Sequence, residues 1–130
     1  MENKRKFAVV TGASSGIGYE LARQCIQHGY DVLLCAEDAA LEQVSRTLGA
    51  TDGVQVQTCR ADLATREGCE KLVASIMRPV DVLMLNAGVG VGGAFIDTDL
   101  ESELEMIALN CGHTVHVAKR LVPDMVARKA

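Results

Sequence analysis

The chain has 130 residues, 48% of them apolar and 3% aromatic, with a formal charge of −4. That length bounds it to one domain, the apolar share suits a globular core rather than a disordered chain, and the acidic balance leaves no basic patch to neutralise a run of phosphates. No stretch approaches the roughly 18 consecutive apolar residues of a membrane span, and no apolar region follows the polar lead at 1–6, so a cytoplasmic protein with no nucleic-acid or membrane partner is expected.

Short β-branched or aliphatic runs alternate with stretches of helical spacing, the pattern of a parallel sheet covered by helices. A first strand is predicted at 7–10 and a helix over 17–28, where Ile17, Leu21 and Cys25 recur every four residues until Gly29 stops them. A second strand at 32–35 precedes a helix over 39–48, which carries Leu41, Val44 and Leu48 on one face and ends at Gly49. The third strand, 54–59, alternates Val54, Val56 and Thr58 with Gln55 and Gln57, as an edge strand with one wetter face does. A third helix over 66–77 shows Cys69, Leu72, Val73 and Ile76, and Pro79 closes it before a buried fourth strand at 80–85. After a glycine-rich loop at 88–93 a long helix is predicted from Leu100. Its repeat is Leu104, Ile107, Ala108, Cys111, Val115 and Ala118, and Pro123 should kink it or end its regular ladder. No repeat, low-complexity tract or linker divides the chain, so a single domain is expected over 1–130.

Cys25, Cys35, Cys59, Cys69 and Cys111 are odd in number and form no Cys-x-x-Cys pair, which reads as reduced thiols packed as small hydrophobes. His113 and His116 would share a helix face, yet no third ligand accompanies them, so they read as core or surface histidines and no metal is expected.

The chemistry sits directly after the first strand, in Thr11-Gly12-Ala13-Ser14-Ser15-Gly16-Ile17-Gly18, with a helix opening at its end. This is the context a dinucleotide fingerprint needs. Gly12 can take the tight turn, Gly16 lets the backbone approach a pyrophosphate, and Gly18 lets the helix pack closely on the strand. The N–H groups at the helix start would face the phosphates with the favourable end of the dipole. On its own, such a loop could also be a turn that merely tolerates glycine. The spacing Gly-x-x-x-Gly-x-Gly, however, resembles the cofactor loop of the short-chain dehydrogenase/reductase family, and three further motifs fall in that family's order.

The resemblance implies that Ser14, Ser15 and Ile17 join the three glycines in cofactor binding, and that Asp62, with Leu63 beside it, meets the adenine ring. Asn86, Ala87 and Gly88 match the family's Asn-Ala-Gly, which steadies the sheet and passes beside the cofactor ribose. Asn110 matches the catalytic asparagine that holds a proton-relay water. The Leu121-Val122-Pro123-x-Met125 ending matches the family's helix end. Taken singly, Asp62 reads equally as a helix N-terminal acid, 86–88 as a turn, and Asn110 as a kink or a satisfied polar group.

The implied fold is a partial three-layer Rossmann-like α/β sheet of about four strands in the order 3-2-1-4, with helices on both faces and the fourth strand an open edge. The implied activity is NAD(P)-dependent hydride transfer between nicotinamide and a carbonyl or alcohol substrate. Glu37, after the second strand, stands where relatives preferring NADP show an arginine, and Ser15 is not the basic residue other NADP users carry, so NAD is the preferred form. Ala36 departs from the aspartate of many NAD users. The family's catalytic serine, tyrosine and lysine would lie beyond residue 130, because Tyr19 and Tyr30 are followed four residues later by Arg23 and Leu34. The expectation is thus a truncated cofactor half, inactive alone and prone to form homo-oligomers. The alternatives are a non-catalytic dinucleotide-binding or protein-interaction module and, opposed by the glycine loop and Asn-Ala-Gly, a flavodoxin-like binder.

Overall fold

The computed structural model describes residues 5–51 and 53–129; the polar lead at 1–4 lies outside them. Four strands, β1 (Lys6–Thr11), β2 (Tyr30–Ala36), β3 (Val56–Arg60) and β4 (Val82–Met84), pair in parallel in the order β3-β2-β1-β4. The helices are α1 (Gly16–Gln27), α2 (Ala40–Gly49), α3 (Arg66–Ser75), α4 (Leu100–Ile107) and α5 (His113–Ala127). A π-helical turn, Ala108–Gly112, joins the last two. No helix among the described residues is long and apolar enough to cross a membrane.

The central strands are buried on both faces, and residue parity decides which layer each side chain enters. Ala8, Val10, Val32 and Leu34 pack with Ala22 and Ile26 of α1 and with Leu41, Val44 and Leu48 of α2. Phe7, Val9, Leu33 and Cys35 meet Cys69 and Leu72 of α3 and Val117 of α5 on the other face. Both crossover helices between neighbouring strands, α1 and α2, therefore share one layer, while the long connection from β3 to β4 carries α3 to the opposite side.

At the amino-terminal end of the strands, fully buried Asp31 ties the sheet together. Its carboxylate accepts from Arg5 Nε at 3.0 Å, Arg78 Nη1 at 2.9 Å and the Gln55 backbone N–H at 2.9 Å. The Arg78 guanidinium also stacks 4.7 Å over the Phe7 ring. One carboxylate thereby joins the segments before β1, β3 and β4 to β2. A charge so buried is tolerable only with its partners in place.

The elements match the sequence pattern with several departures, the mildest being α3, read over 66–77, which ends at Ser75. The third strand begins two residues later than read and runs on to Arg60. The fourth is shortened from 80–85 to Val82–Met84, because Val80 buries without joining the ladder and Asp81 instead exchanges hydrogen bonds with the Phe7 backbone. The long helix turns a different face inward: Leu104, Ile107, Cys111 and Val115 are exposed, and the inward row is buried His113 and Val117 with half-buried Leu109, Leu121 and Met125. Leu104 and Ile107 lie ahead of the π turn and Cys111 within it, so the period does mark one continuous apolar side, but that side stands exposed instead of against the sheet. Ile17, read as the first residue of the helical repeat and as a cofactor contact, stands 73% exposed at the start of α1. Pro123 lies inside α5, which continues to Ala127.

Asp31→Ala should lower stability by about 3–5 kcal/mol, since two arginines would be left against a buried gap. Urea unfolding followed by circular dichroism would show this as a lower midpoint, and an unchanged midpoint would contradict the role given to Asp31.

Candidate functional site

The carboxyl end of β1 feeds a turn that only glycine can make. Gly12 has φ of 65°, and a Cβ there would lie 2.8 Å from Ala87 Cα and 3.0 Å from Asn86 Nδ2. Gly18, one turn into α1, is tighter: its Cβ would sit 1.9 Å from the Gly12 carbonyl oxygen. These contacts press the helix against the turn and the end of β4. Gly16 differs, with φ of 58° and open space where its side chain would be. Ser15 is the residue before α1, and its side chain makes no capping hydrogen bond. The first N–H groups of the helix therefore face that open space without a side-chain partner, the arrangement that receives anions.

The end of β4 is organised by Thr11. Its hydroxyl oxygen accepts the backbone N–H groups of Asn86 at 2.9 Å and Ala87 at 3.0 Å, and Asn86 Nδ2 donates to the Gly12 carbonyl at 3.4 Å. Asn110 lies in the π turn and pairs with the Val89 backbone in both directions, accepting its N–H at 2.9 Å and donating to its carbonyl at 2.8 Å. That pairing holds the loop after Gly88 against the helix. A Cβ on Gly88 would stand 3.1 Å from Asn110 Oδ1.

At the ends of β2 and β3, Asp62 caps the turn into α3 by accepting the Ala64 N–H at 3.0 Å, while Thr65 accepts from Gly68 N at 2.9 Å. Glu37 is exposed, and its carbonyl accepts from Arg60 Nε at 3.2 Å and Nη2 at 3.0 Å. Asp38 accepts the Ser14 hydroxyl at 2.8 Å and thereby links the β2 end to the glycine turn.

A cavity of about 280 Å³ opens among these elements. Of the residues read from sequence it gathers Gly12, Ser14, Ser15, Glu37, Asp62, Leu63, Asn86, Ala87 and Gly88. Gly16, Ile17 and Gly18 stand outside its wall, the first two exposed at the helix start and the third buried beneath it. Asn110 is also outside and faces the loop. The reading missed Ala36, Asp38, Ala61, Val89 and Leu109 as lining residues, and Arg60 beside Glu37. Of these only Asp38 carried a signal, its place next to Glu37 at a strand end.

A separate groove of about 760 Å³ runs between α3 and α5, where Glu70 accepts from His116 Nε2 at 2.5 Å and Arg120 Nε at 3.0 Å. Those hydrogen bonds hold the Glu70 carboxyl below its ordinary range. The other histidine of the sequence pair, His113, is buried, so the two do not converge on a common ligand point.

A parallel sheet in the order β3-β2-β1-β4, with a glycine turn at the end of β1 and a cavity outside the carboxyl ends of the strands, defines a Rossmann-like α/β domain. The short chain dehydrogenase family model matches residues 6–130, and the chain belongs to that family. It is 33% identical over 128 residues to the uncharacterized oxidoreductase YmfI of Bacillus subtilis, covering 96% of this chain and 52% of that one. It is 36% identical over 130 residues to dehydrogenase/reductase SDR family member 7B of Rattus norvegicus, covering 93% of this chain and 40% of the relative. Among solved structures, L-sorbose reductase from Gluconobacter frateurii, complexed with NADPH and L-sorbose, superposes with a TM-score of 0.88 at 33% identity, over 98% of this chain and 50% of that one. A metagenomic short-chain oxidoreductase in complex with NADP gives 0.86 at 32% identity, over 95% and 58%. The chain thus spans about half the length of these proteins.

Gly18→Ala should cost at least about 1–3 kcal/mol, because its methyl group would overlap a backbone oxygen that has no space to yield. Thermal melting would report this, and a melting temperature equal to the wild type would refute the close packing of α1 on the turn.

Proposed function

We propose that this chain binds a nicotinamide dinucleotide and forms the cofactor half of an NAD(P)-dependent oxidoreductase acting on a carbonyl or alcohol substrate. The observation that carries this reading is Gly16: a positive-φ glycine over open space, at a helix start with no side-chain cap, beside a cavity lined by the strand ends. Residues present fit such a ligand. Gly16, Ile17 and Gly18 offer backbone donors to the pyrophosphate, with Gly12, Ser14 and Ser15 shaping the turn. Asp62 and Leu63 would flank the adenine, and Asn86, Ala87 and Gly88 would pass the ribose. Asn110 keeps that passage in place through Val89. The bound nicotinamide would supply the hydride chemistry.

Within this reading NAD(H) is favoured over NADP(H). The cavity is edged by the carboxylates of Glu37 and Asp38, which accept hydrogen bonds from ribose hydroxyls and repel a 2′-phosphate, while the Arg60 guanidinium is engaged with the Glu37 carbonyl. Titration with NADH and NADPH by fluorescence should show tighter NADH binding, and Gly16→Val should abolish it. Equal affinity of the Gly16→Val variant would remove the phosphate-loop assignment, and tighter NADPH binding would reverse the preference.

Hydride transfer needs a positioned acid near the substrate carbonyl. Tyr19 and Tyr30 are the two tyrosines, and neither has a lysine four residues on. These 130 residues by themselves should therefore show no cofactor oxidation above background over a panel of ketones, and steady turnover would overturn that statement.

A homo-oligomer is also proposed. Leu104, Ile107 and Val115 are 50%, 57% and 66% exposed along one side of the α4–α5 rod, and β4 pairs only with β1 among the described residues. Sedimentation over a range of concentrations should show self-association, and a monomer at high concentration would refute it. A cytoplasmic setting suits five cysteines that are all free thiols.

A further inference from the structure

His113 occupies a place in the core that an apolar residue would ordinarily fill. It is 1% exposed, in the buried row of α5 against the sheet. Both ring nitrogens have partners. Nδ1 lies 2.8 Å from the Leu109 carbonyl oxygen, and Nε2 lies 3.1 Å from the Thr11 hydroxyl.

These partners fix the proton positions. A carbonyl oxygen only accepts, so Nδ1 carries the hydrogen, and in the neutral ring Nε2 is left with a lone pair. The Thr11 hydroxyl must then donate to Nε2. Its oxygen is thereby free to use both lone pairs on the Asn86 and Ala87 N–H groups, at 2.9 and 3.0 Å. Every member of this buried set is satisfied in that arrangement, with the Asn86 N–H shared between Thr11 and the Met84 carbonyl at 3.1 Å and the Ala87 N–H resting on Thr11. A proton on Nε2 would turn it into a third donor aimed at the same oxygen, and the Thr11 hydrogen would have only the Met84 carbonyl, 3.5 Å away, to face. One of the two loop N–H bonds to Thr11 would have to give: the Asn86 N–H could fall back on the Met84 carbonyl, and the Ala87 N–H would lose its acceptor.

We infer that His113 is a positioning residue for the cofactor site: in its neutral Nδ1–H form it receives the Thr11 hydroxyl proton and so locks the Asn86–Ala87 turn that walls the cavity. This rests on the dinucleotide reading above for the ligand but not for the hydrogen-bond arrangement. Burial holds His113 below the ordinary imidazole pKa of 6.5, opposed by its hydrogen bond to the Leu109 carbonyl, so the neutral form is the resting form at neutral pH. The charged groups that share the groove alongside are Arg66 and Glu70 on α3 and His116, Lys119 and Arg120 on its own helix. Glu70 is taken by His116 and Arg120, and among the described residues the polar groups that β1 and β4 present toward the ring are the Thr11 hydroxyl and, beyond it, the Met84 carbonyl. The sign follows: a lowered folded pKa means that the unfolded chain takes the proton first, so the stabilisation is complete above about 6.5 and is lost as pH falls through the folded value.

The test combines nitrogen NMR of the His113 ring, hydrogen exchange at the Asn86 and Ala87 amides, and NADH titration between pH 5.5 and 7.5 on the whole chain and two variants. His113→Gln places an amide oxygen near the Nε2 position, able to accept from Thr11 but unable to titrate. His113→Leu removes the acceptor. At pH 7.5 the wild-type ring should show Nε2 unprotonated. His113→Gln should keep the amide protection and bind NADH within about threefold of wild type, and His113→Leu should lose protection at the Ala87 amide, whose acceptor is Thr11, and bind about tenfold more weakly. Wild-type affinity should weaken toward pH 5.5 while His113→Gln, which retains His116, stays level. A hydrogen on Nε2 at pH 7.5, or unchanged protection in a folded His113→Leu, would overturn the inference. So would an equal loss of affinity with falling pH in His113→Gln. If no form binds NADH at any pH, the dinucleotide reading fails, and the ring and amide measurements, which need no ligand and in the wild type no substitution, still decide the role of His113.

Discussion

The whole arrangement depends on how closely two backbones approach. The turn leaving β1 and the strip leaving β4 come so near that a single carbon added at Gly12 or Gly18 would intrude on main-chain atoms. Interiors of this density do not deform continuously; they keep their packing or lose it. Because the approach is fixed, the Thr11 hydroxyl reaches both amides at the end of β4, Asn86 reaches back to the turn, and the start of α1 is held facing outward beside the cavity. Gly16 alone of the three is free of contact, which separates a glycine required for packing from one required for access.

The parts of this design that were readable in advance obey a simple period or a local motif. β1 and β2 declare themselves as unbroken apolar runs, α2 shows its buried face through Leu41, Val44 and Leu48, and the glycine turn carries its own spacing. The parts that were not readable are those in which a distant partner changes the meaning of a residue. Asp31 lies inside a strand and has the look of a surface acid until Arg5 and Arg78, remote in sequence, converge on it. His113 looks like half of a histidine pair, yet its partner is a threonine of β1 about a hundred positions away. The apolar face of the last helix was misjudged because periodicity shows that a face is apolar and not which way it points: Leu104 and Ile107, ahead of the π turn, are exposed together with Val115 beyond it. Cys111 shares that error: it follows Asn110 on the turn and is the one exposed thiol of the five.

Among the candidate site residues, those placed by strand ends were legible, and the roles of those placed by helices were less so. Asp62, Asn86, Ala87 and Gly88, singled out by their motifs, line the cavity. Asn110 was found by its motif, but its geometry was not foreseeable, since both polar atoms of its side chain are turned to the Val89 backbone. A motif names the residue; the tertiary contact decides what that residue holds.

Asp31 and the glycine turn occupy opposite ends of the same strands, separated by the length of β2, about 20 Å for seven extended residues. Substitutions so far apart and without shared partners add independently in free energy. The sheet is therefore divided into an end that anchors and an end that is open to change. Loops at the open end can diversify in length and chemistry without drawing on the anchorage, which is held by groups no ligand would touch. A lineage carrying this scaffold is free to explore new specificities one loop at a time, with the risk of unfolding concentrated in a handful of residues far from where novelty arises.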